Sequence, residues 1–180
     1  MLNKTLSTRQ CELVITLLQD VLRNGATLDR AYARAFADLQ LSPAEHAIIA
    51  LVTGDLLRRL NLYCTLAGVE VDRAAASGWS LLCVWHRFHN LPMPDCAAAN
   101  QLDTRTYEGR KQQARARPAV WDGCPAWLEA LGEAQLGEQW PAERAALAHT
   151  PKRYLRINTL RCDREALIQR LRDEGVQVRP

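Results

Sequence analysis

Six cysteines and one close histidine pair are the side chains of this sequence best equipped for nucleophilic or metal chemistry. Cys11, Cys64, Cys83, Cys96, Cys124 and Cys162 stand singly, with no C-x-x-C pair and no rhythm that suggests a disulfide framework. They read as reduced thiols, mostly buried. His86-x-x-His89 is the only close pair of ligand type, and it lacks the third local ligand that a zinc site requires. No serine, cysteine or acid is arranged around His86 to make it a general base. Gly54, Gly68 and Gly78 are isolated, so no glycine-rich loop offers to cradle a nucleotide. The residues therefore assign no catalytic group, no metal ligand and no cofactor-binding group.

What remains is charge. The formal net charge of +3 says little, but its distribution is uneven. Residues 1–102 carry nine basic and nine acidic side chains; Arg105 to Arg117 hold five bases against Glu108. Pro118 to His149 hold Arg144 against five acids, and Thr150 to Pro180 hold eight bases against four acids. Two cationic segments thus flank an acidic one. In the first, TRTYEGRKQQARARP, the candidates for phosphate contact are Arg105, Arg110, Lys111, Arg115 and Arg117, with Tyr107 offering a ring for base stacking. In the second they are Lys152, Arg153, Arg156, Asn158 and Arg161. Each run serves equally well as a solvated surface. Arg156-x-Asn158 could be an interdomain hydrogen-bonding pair, and Arg58-Arg59 read better as flanks of a buried stripe than as an RNA contact. Trp79, Trp85, Trp121, Trp127 and Trp140 read as core or interface anchors rather than stacking platforms.

These side chains must be positioned mostly by helices. Cys11, Val14, Ile15, Leu18, Val21 and Leu22 share one helical face that Asn24-Gly25 ends. Thr27 is placed to cap a second helix bearing Leu28, Tyr32, Ala35, Phe36 and Leu39. Ser42-Pro43-Ala44-Glu45 is the best helix start in the chain, and the helix it opens should run past Tyr63 to Gly68. Inside it, Gly54 marks a candidate close helix crossing. A fourth helix fits Ala74 to His89 before Pro92 and Pro94, and shorter helices fit 95–102, 104–113, 125–131 and 141–148.

The period changes at Lys152. RYLRINTLR reads as a strand, CDREALIQRLRDEG as a helix started by Cys162 or Asp163 and stopped by Gly175, and Val176-Gln177-Val178 as the opening of another strand. An isolated two-stranded unit is marginal in water, so the sequence reads as stopping short of a complete domain. The fold class expected is mostly α, with a helical bundle over 1–117, a helical linker over 118–149 and a partial strand-helix-strand segment over 150–180.

Three places in the sequence resemble one family. PKRYLRINTLRCDREALIQRLRDEGVQVRP, Pro151 to Pro180, is similar to the segment preceding the catalytic domain of Sun-type (Fmu-type) RNA cytosine-C5 methyltransferases, through its L-R-x-N-T-L run and its E-G-x-x-V turn. CPAWLEALGEAQLGEQW, Cys124 to Trp140, resembles the P-x-W-L segment just upstream in the same enzymes. LSPAEHAIIALVTGDLLRRLNLY, Leu41 to Tyr63, is similar to the central helix of NusB-like RNA-binding domains. The resemblance implies a parent that transfers methyl from S-adenosylmethionine to carbon 5 of a cytosine, in ribosomal RNA, through two cysteines of a Rossmann-like domain. Neither cysteine is among these six, because none follows a proline as the family's Pro-Cys motif demands. The chain is then a non-catalytic RNA-positioning region that needs no cofactor itself and partners RNA and a C-terminal catalytic domain.

A different class of function stays open: a helical module that docks a catalytic domain or a ribosomal protein. A stand-alone NusB-like factor would leave the strand-helix-strand tail unpaired. MLNKTLSTRQ lacks the apolar run of a secretory signal, and no stretch approaches the roughly 18 apolar residues of a membrane span, so a cytoplasmic chain without membrane contact is expected.

Overall fold

The computed structural model describes residues 6–37, 39–149 and 154–178. The chain divides into two compact units, Met1–His149 and Thr150–Pro180. As expected, the architecture is mostly α.

In the first unit, α1 (Thr8–Asn24) begins at a reciprocal cap, Ser7 with Gln10, and ends on Gly25 in the left-handed conformation. α2 (Leu28–Phe36) follows Thr27, which holds the N-cap position without a side-chain hydrogen bond. α3 (Pro43–Arg58) opens on the predicted capping box: Ser42 Oγ accepts from the Glu45 amide, and Glu45 Oε2 accepts from the Ser42 amide at 2.9 Å.

The long third helix expected through Tyr63 is in fact two. Arg59 leaves helical geometry at φ −112° and ψ 34°, and α4 (Leu60–Ala67) starts afresh before Gly68. Gly54 marks no crossing, since a Cβ there would meet open space. The close approaches lie at Gly68 against the Arg110 side chain, Gly78 against Ile15, Gly123 against Arg59 and Gly132 against Trp140. The predicted fourth helix is divided as well, into a 3-10 turn over Val71–Ser77 and α5 (Gly78–Phe88).

α5 is the centre of this unit. Leu81 through His86 are all buried, as expected of a helix with neighbours on every side. It packs against α1, α3 and α4. Val14, Leu17 and Leu18 of α1, Ile49, Val52 and Leu56 of α3, and Leu62 and Leu66 of α4 complete the core. Short helices α6 (Ala97–Gln101), α7 (Thr104–Arg115) and α8 (Pro118–Trp121) wrap this core, with α7 and α8 lying against α4.

α9 (Ala126–Leu136) and α10 (Trp140–Ala148) form a small pair held by a polar knot. Trp140 Nε1 donates to Glu129 at 2.8 Å, and Arg144 bridges Asp122 at 2.9 Å and Glu129 at 2.6 Å. Three of the charged groups in the acidic segment are thereby used internally. The segment is also stitched to the bundle, because Arg59 Nη2 donates to the Trp121 carbonyl at 3.0 Å and Asn61 Nδ2 to the Cys124 carbonyl at 2.7 Å.

The second unit corrects the strand expectations. Among the described residues there is no strand, neither at 154–160 nor at 176–178. Asn158 ends the first extended run: its side chain accepts from the Leu160 amide at 3.1 Å, and its carbonyl from the Arg161 amide at 2.9 Å, closing a turn where the strand should continue. A strand also requires a ladder partner, and the two runs do not pair with one another. Between them, α11 (Arg164–Asp173) is capped by Asp163, which accepts from Glu165 and Ala166, and stopped by Gly175 at φ +81°. No described residue of this unit is buried.

Candidate nucleic-acid interface

α7 decides which of the basic side chains are free. Asp103 caps its start, accepting from the Thr106 amide at 2.7 Å, and Tyr107 and Ala114 turn its apolar side into the core. The 3.6-residue period then places Arg105 and Gln112 on the opposite side, Glu108 and Arg115 on one flank and Lys111 at the margin of the apolar side. Arg105, Arg115 and Arg117 are exposed. Lys111 Nζ stands 5.6 Å from the centroid of the Tyr107 ring, and the Arg115 guanidinium 5.0 Å from that of Trp121. Such contacts are worth about 0.5–1 kcal/mol at exposed sites and hold the cations in place without neutralising them.

Two residues of this segment take other roles. Tyr107 is 1% exposed, so the base-stacking face expected of it lies in the core. Arg110 points back to α4, donating to the Ala67 carbonyl at 2.9 Å and occupying the space over Gly68. A helix leaves its last carbonyls unpaired, and a guanidinium is well suited to cap them. Arg110 thus fixes α7 against α4, while Arg105, Arg115 and Arg117 are exposed and Lys111 is half-buried at the margin.

In the second unit Arg156, Asn158 and Arg161 are exposed, and Asn158 spends its side-chain carbonyl on the turn described above. Lys152 and Arg153 lie outside the described residues. Arg58 pairs with Asp55 at 2.9 Å. Arg59 lies over the Phe88 ring at 5.1 Å and anchors the 121–124 turn, so it is a staple rather than a surface cation.

Sequence reading missed a polar centre in the first unit, at Asp55. Asp55 Oδ2 accepts from Tyr63 Oη at 2.5 Å, Trp85 Nε1 at 3.0 Å and His89 Nε2 at 3.3 Å, while Oδ1 takes Arg58. Burial by itself would raise the Asp55 pKa; the hydrogen bonds from His89, Tyr63, Trp85 and Arg58 outweigh it and hold the carboxyl well below the usual range. The available signal was an aspartate inside the apolar run LVTGDLL. Both of its oxygens are engaged and none of the concave surfaces described below includes it, so the cluster fastens α3, α4 and α5 together. His86 is fully buried, and its Nδ1–H donates to the Pro92 carbonyl at 2.6 Å. Burial lowers its pKa, against the opposing pull of the Pro92 hydrogen bond.

Two of the concave surfaces among the described residues can be set against what S-adenosylmethionine would need. The groove lined by Thr16, Leu17, Asp20, Ala31, Arg34 and Ala35 encloses about 170 Å³, below the roughly 300–1,000 Å³ of ligand pockets. The shallow concavity at Arg172 and Gly175 to Val178 has no acid for a ribose and no aromatic ring for an adenine.

Residues 124–180 match a methyltransferase family model. The model describes the ferredoxin-like domain of RsmF/B-like methyltransferases, and the matched stretch begins at Cys124, beside the polar knot, and runs through α9, α10 and α11. The expected likeness to RNA-modifying methyltransferases therefore holds for the last third of the chain at the level of that family. No curated protein and no solved structure matches the chain. No helix among the described residues is long and apolar enough to cross a membrane.

Proposed function

We propose that the chain is the RNA-binding and substrate-positioning region of an S-adenosylmethionine-dependent methyltransferase acting on cytosine C5 of ribosomal RNA. In this reading residues 1–117 form a NusB-like bundle, 118–149 a helical linker and 150–180 part of an RNA-positioning subdomain. Methyl transfer belongs to a catalytic domain outside these residues. The observation that carries the reading is the family match over residues 124–180. It is supported by Arg105, Lys111 and Arg115 of α7 and by Arg117 just after it, which offer charge to a phosphate backbone beside a helix that Arg110 anchors. Arg156 and Arg161 supply the same chemistry in the second unit, with Lys152 and Arg153 beside them in sequence.

A cationic surface of this kind binds through counterion release, so its affinity must fall with salt. Reversing Lys111, Arg115 and Arg117 to glutamate is expected to weaken binding to a single-stranded ribosomal RNA fragment by at least tenfold at low salt. The plot of log affinity against log salt should flatten by about 0.7 per lost phosphate contact. Filter binding across a salt series measures both. Unchanged affinity and slope would remove α7 from the interface.

One observation favours the protein-docking alternative. Trp127 is 67% and Leu131 44% exposed, and they share the side of α9 opposite to Glu129 and Gly132, which face α10. Under that reading Trp127→Ser abolishes capture of a protein partner in nuclease-treated extract and leaves RNA affinity unaltered. Under the RNA reading it changes neither.

A further inference from the structure

Two thiols that lie thirteen positions apart in sequence touch in the fold. Cys83 Sγ and Cys96 Sγ are 3.5 Å apart. Cys83 sits on α5 and is 1% exposed, while Cys96 immediately precedes α6 and is half-exposed. Cys11 of α1 lies close enough for its thiol to be raised by Cys96. We propose that Cys83 and Cys96 form an oxidisable dithiol, which a hydroperoxide converts to an intramolecular disulfide through initial attack on Cys96.

The roles follow from access and contact. Peroxide reaches a thiol from solvent, and of the three grouped sulfurs only Cys96 offers that path. Burial, with the neighbouring thiols, pushes Cys83 up to about 12, and burial with Cys96 pushes Cys11 up to about 11, so both stay protonated and unreactive until a partner is activated. The Cys96 sulfur attacks one peroxide oxygen, the O–O bond breaks, and water or an alcohol leaves, giving a sulfenic acid. The Cys83 sulfur then attacks the Cys96 sulfur. The S–O bond breaks, and the hydroxyl departs as water with the proton of the Cys83 thiol. Two sulfurs are oxidised and one peroxide is reduced, with no further reactant. The sulfurs must approach from 3.5 Å to about 2.05 Å, a movement that the non-helical segment Leu91–Asp95 can supply. The bond would clip α5 to the start of α6, one short helix ahead of the cationic α7, to which Arg87 of α5 already reaches through Thr104 at 3.3 Å.

Cys162 supplies an internal comparison. It is half-exposed like Cys96, but its sulfur contacts only the Asn158 carbonyl, at 3.9 Å, and has no thiol beside it among the described residues. Graded hydrogen peroxide on the whole chain, followed by blocking of free thiols and peptide mapping without reductant, reads both sites. The expected result is a Cys83–Cys96 cross-linked peptide at peroxide levels where Cys162 carries only sulfenic or sulfinic acid. Oxidation should also raise the Tm by roughly 5–10 °C, reversibly with dithiothreitol, through closure of a short loop. Cys96→Ser, at the half-exposed position, should abolish the cross-link and the rise while leaving the reduced Tm near that of the parent. Conversion of Cys96 to sulfinic acid without a cross-link, pairing of Cys96 with Cys11, or a Tm unchanged by the cross-link would each overturn the proposal. The map of the unsubstituted chain decides the first two without any variant.

Discussion

Asp55→Ala is expected to destabilise the first unit by about 3–5 kcal/mol. The substitution leaves the Tyr63 hydroxyl and the Trp85 indole N–H, both in buried residues, without their acceptor. Asp55→Asn keeps the volume but turns an amide donor toward donors, so it should recover only part of the loss. The charge matters in a defined pH window. Because the folded carboxyl titrates below its unfolded value of about 3.9, its contribution is complete above that value and fades as pH falls through it toward the folded-state pKa. The gap in urea midpoint between the parent and Asp55→Asn should therefore be smaller at pH 3 than at pH 7, though not closed, because the folded carboxyl is still ionised at pH 3. A gap that stays constant would show that the carboxylate charge contributes nothing.

Gly123→Ala should cost at least 3 kcal/mol, lowering Tm by roughly 6–12 °C. Gly123 has φ +78°, and an added Cβ would stand 2.6 Å from the Arg59 Cα, a backbone atom that cannot swing aside. Gly25 is the natural control, with φ +65° and open space where its Cβ would go. Gly25→Ala pays the left-handed strain alone, about 1 kcal/mol. The difference between the two variants, measured by denaturant unfolding, isolates the steric term; equal losses would mean that the turn at 121–124 can shift away from α4.

Much of the helical scaffold is legible in the sequence because its signals are local. Ser42 and Glu45 find each other within one turn, and Gly25, Gly68 and Gly175 end helices through their own backbone freedom. The features that escape reading depend on residues distant in sequence. Asp55 and Arg59 look alike as charges near an apolar stripe, yet one is buried by Trp85 and His89 and the other by Phe88 and the Trp121 carbonyl. Arg110 is indistinguishable by composition from Arg115, and only the end of α4, more than forty residues earlier, draws it inward. The alternation at 154–157 and 176–178 states a preference for extended backbone, but ladder formation depends on a partner that composition does not specify.

The interruption at Arg59 does more than shorten a helix. On an unbroken helix, Leu62 and Leu66 would lie roughly 90° around the axis from the stripe of Ile49, Val52 and Leu56. One continuous rod would therefore have aimed Leu62 and Leu66 past the core. The single non-helical residue introduces a phase slip, so that α3 can serve α1 while α4 serves α7 and α8, with α5 touched by both. Arg59 is where the chain changes partners, and its guanidinium, reaching to Trp121, ties that change of direction to the part of the molecule where the methyltransferase-like sequence begins.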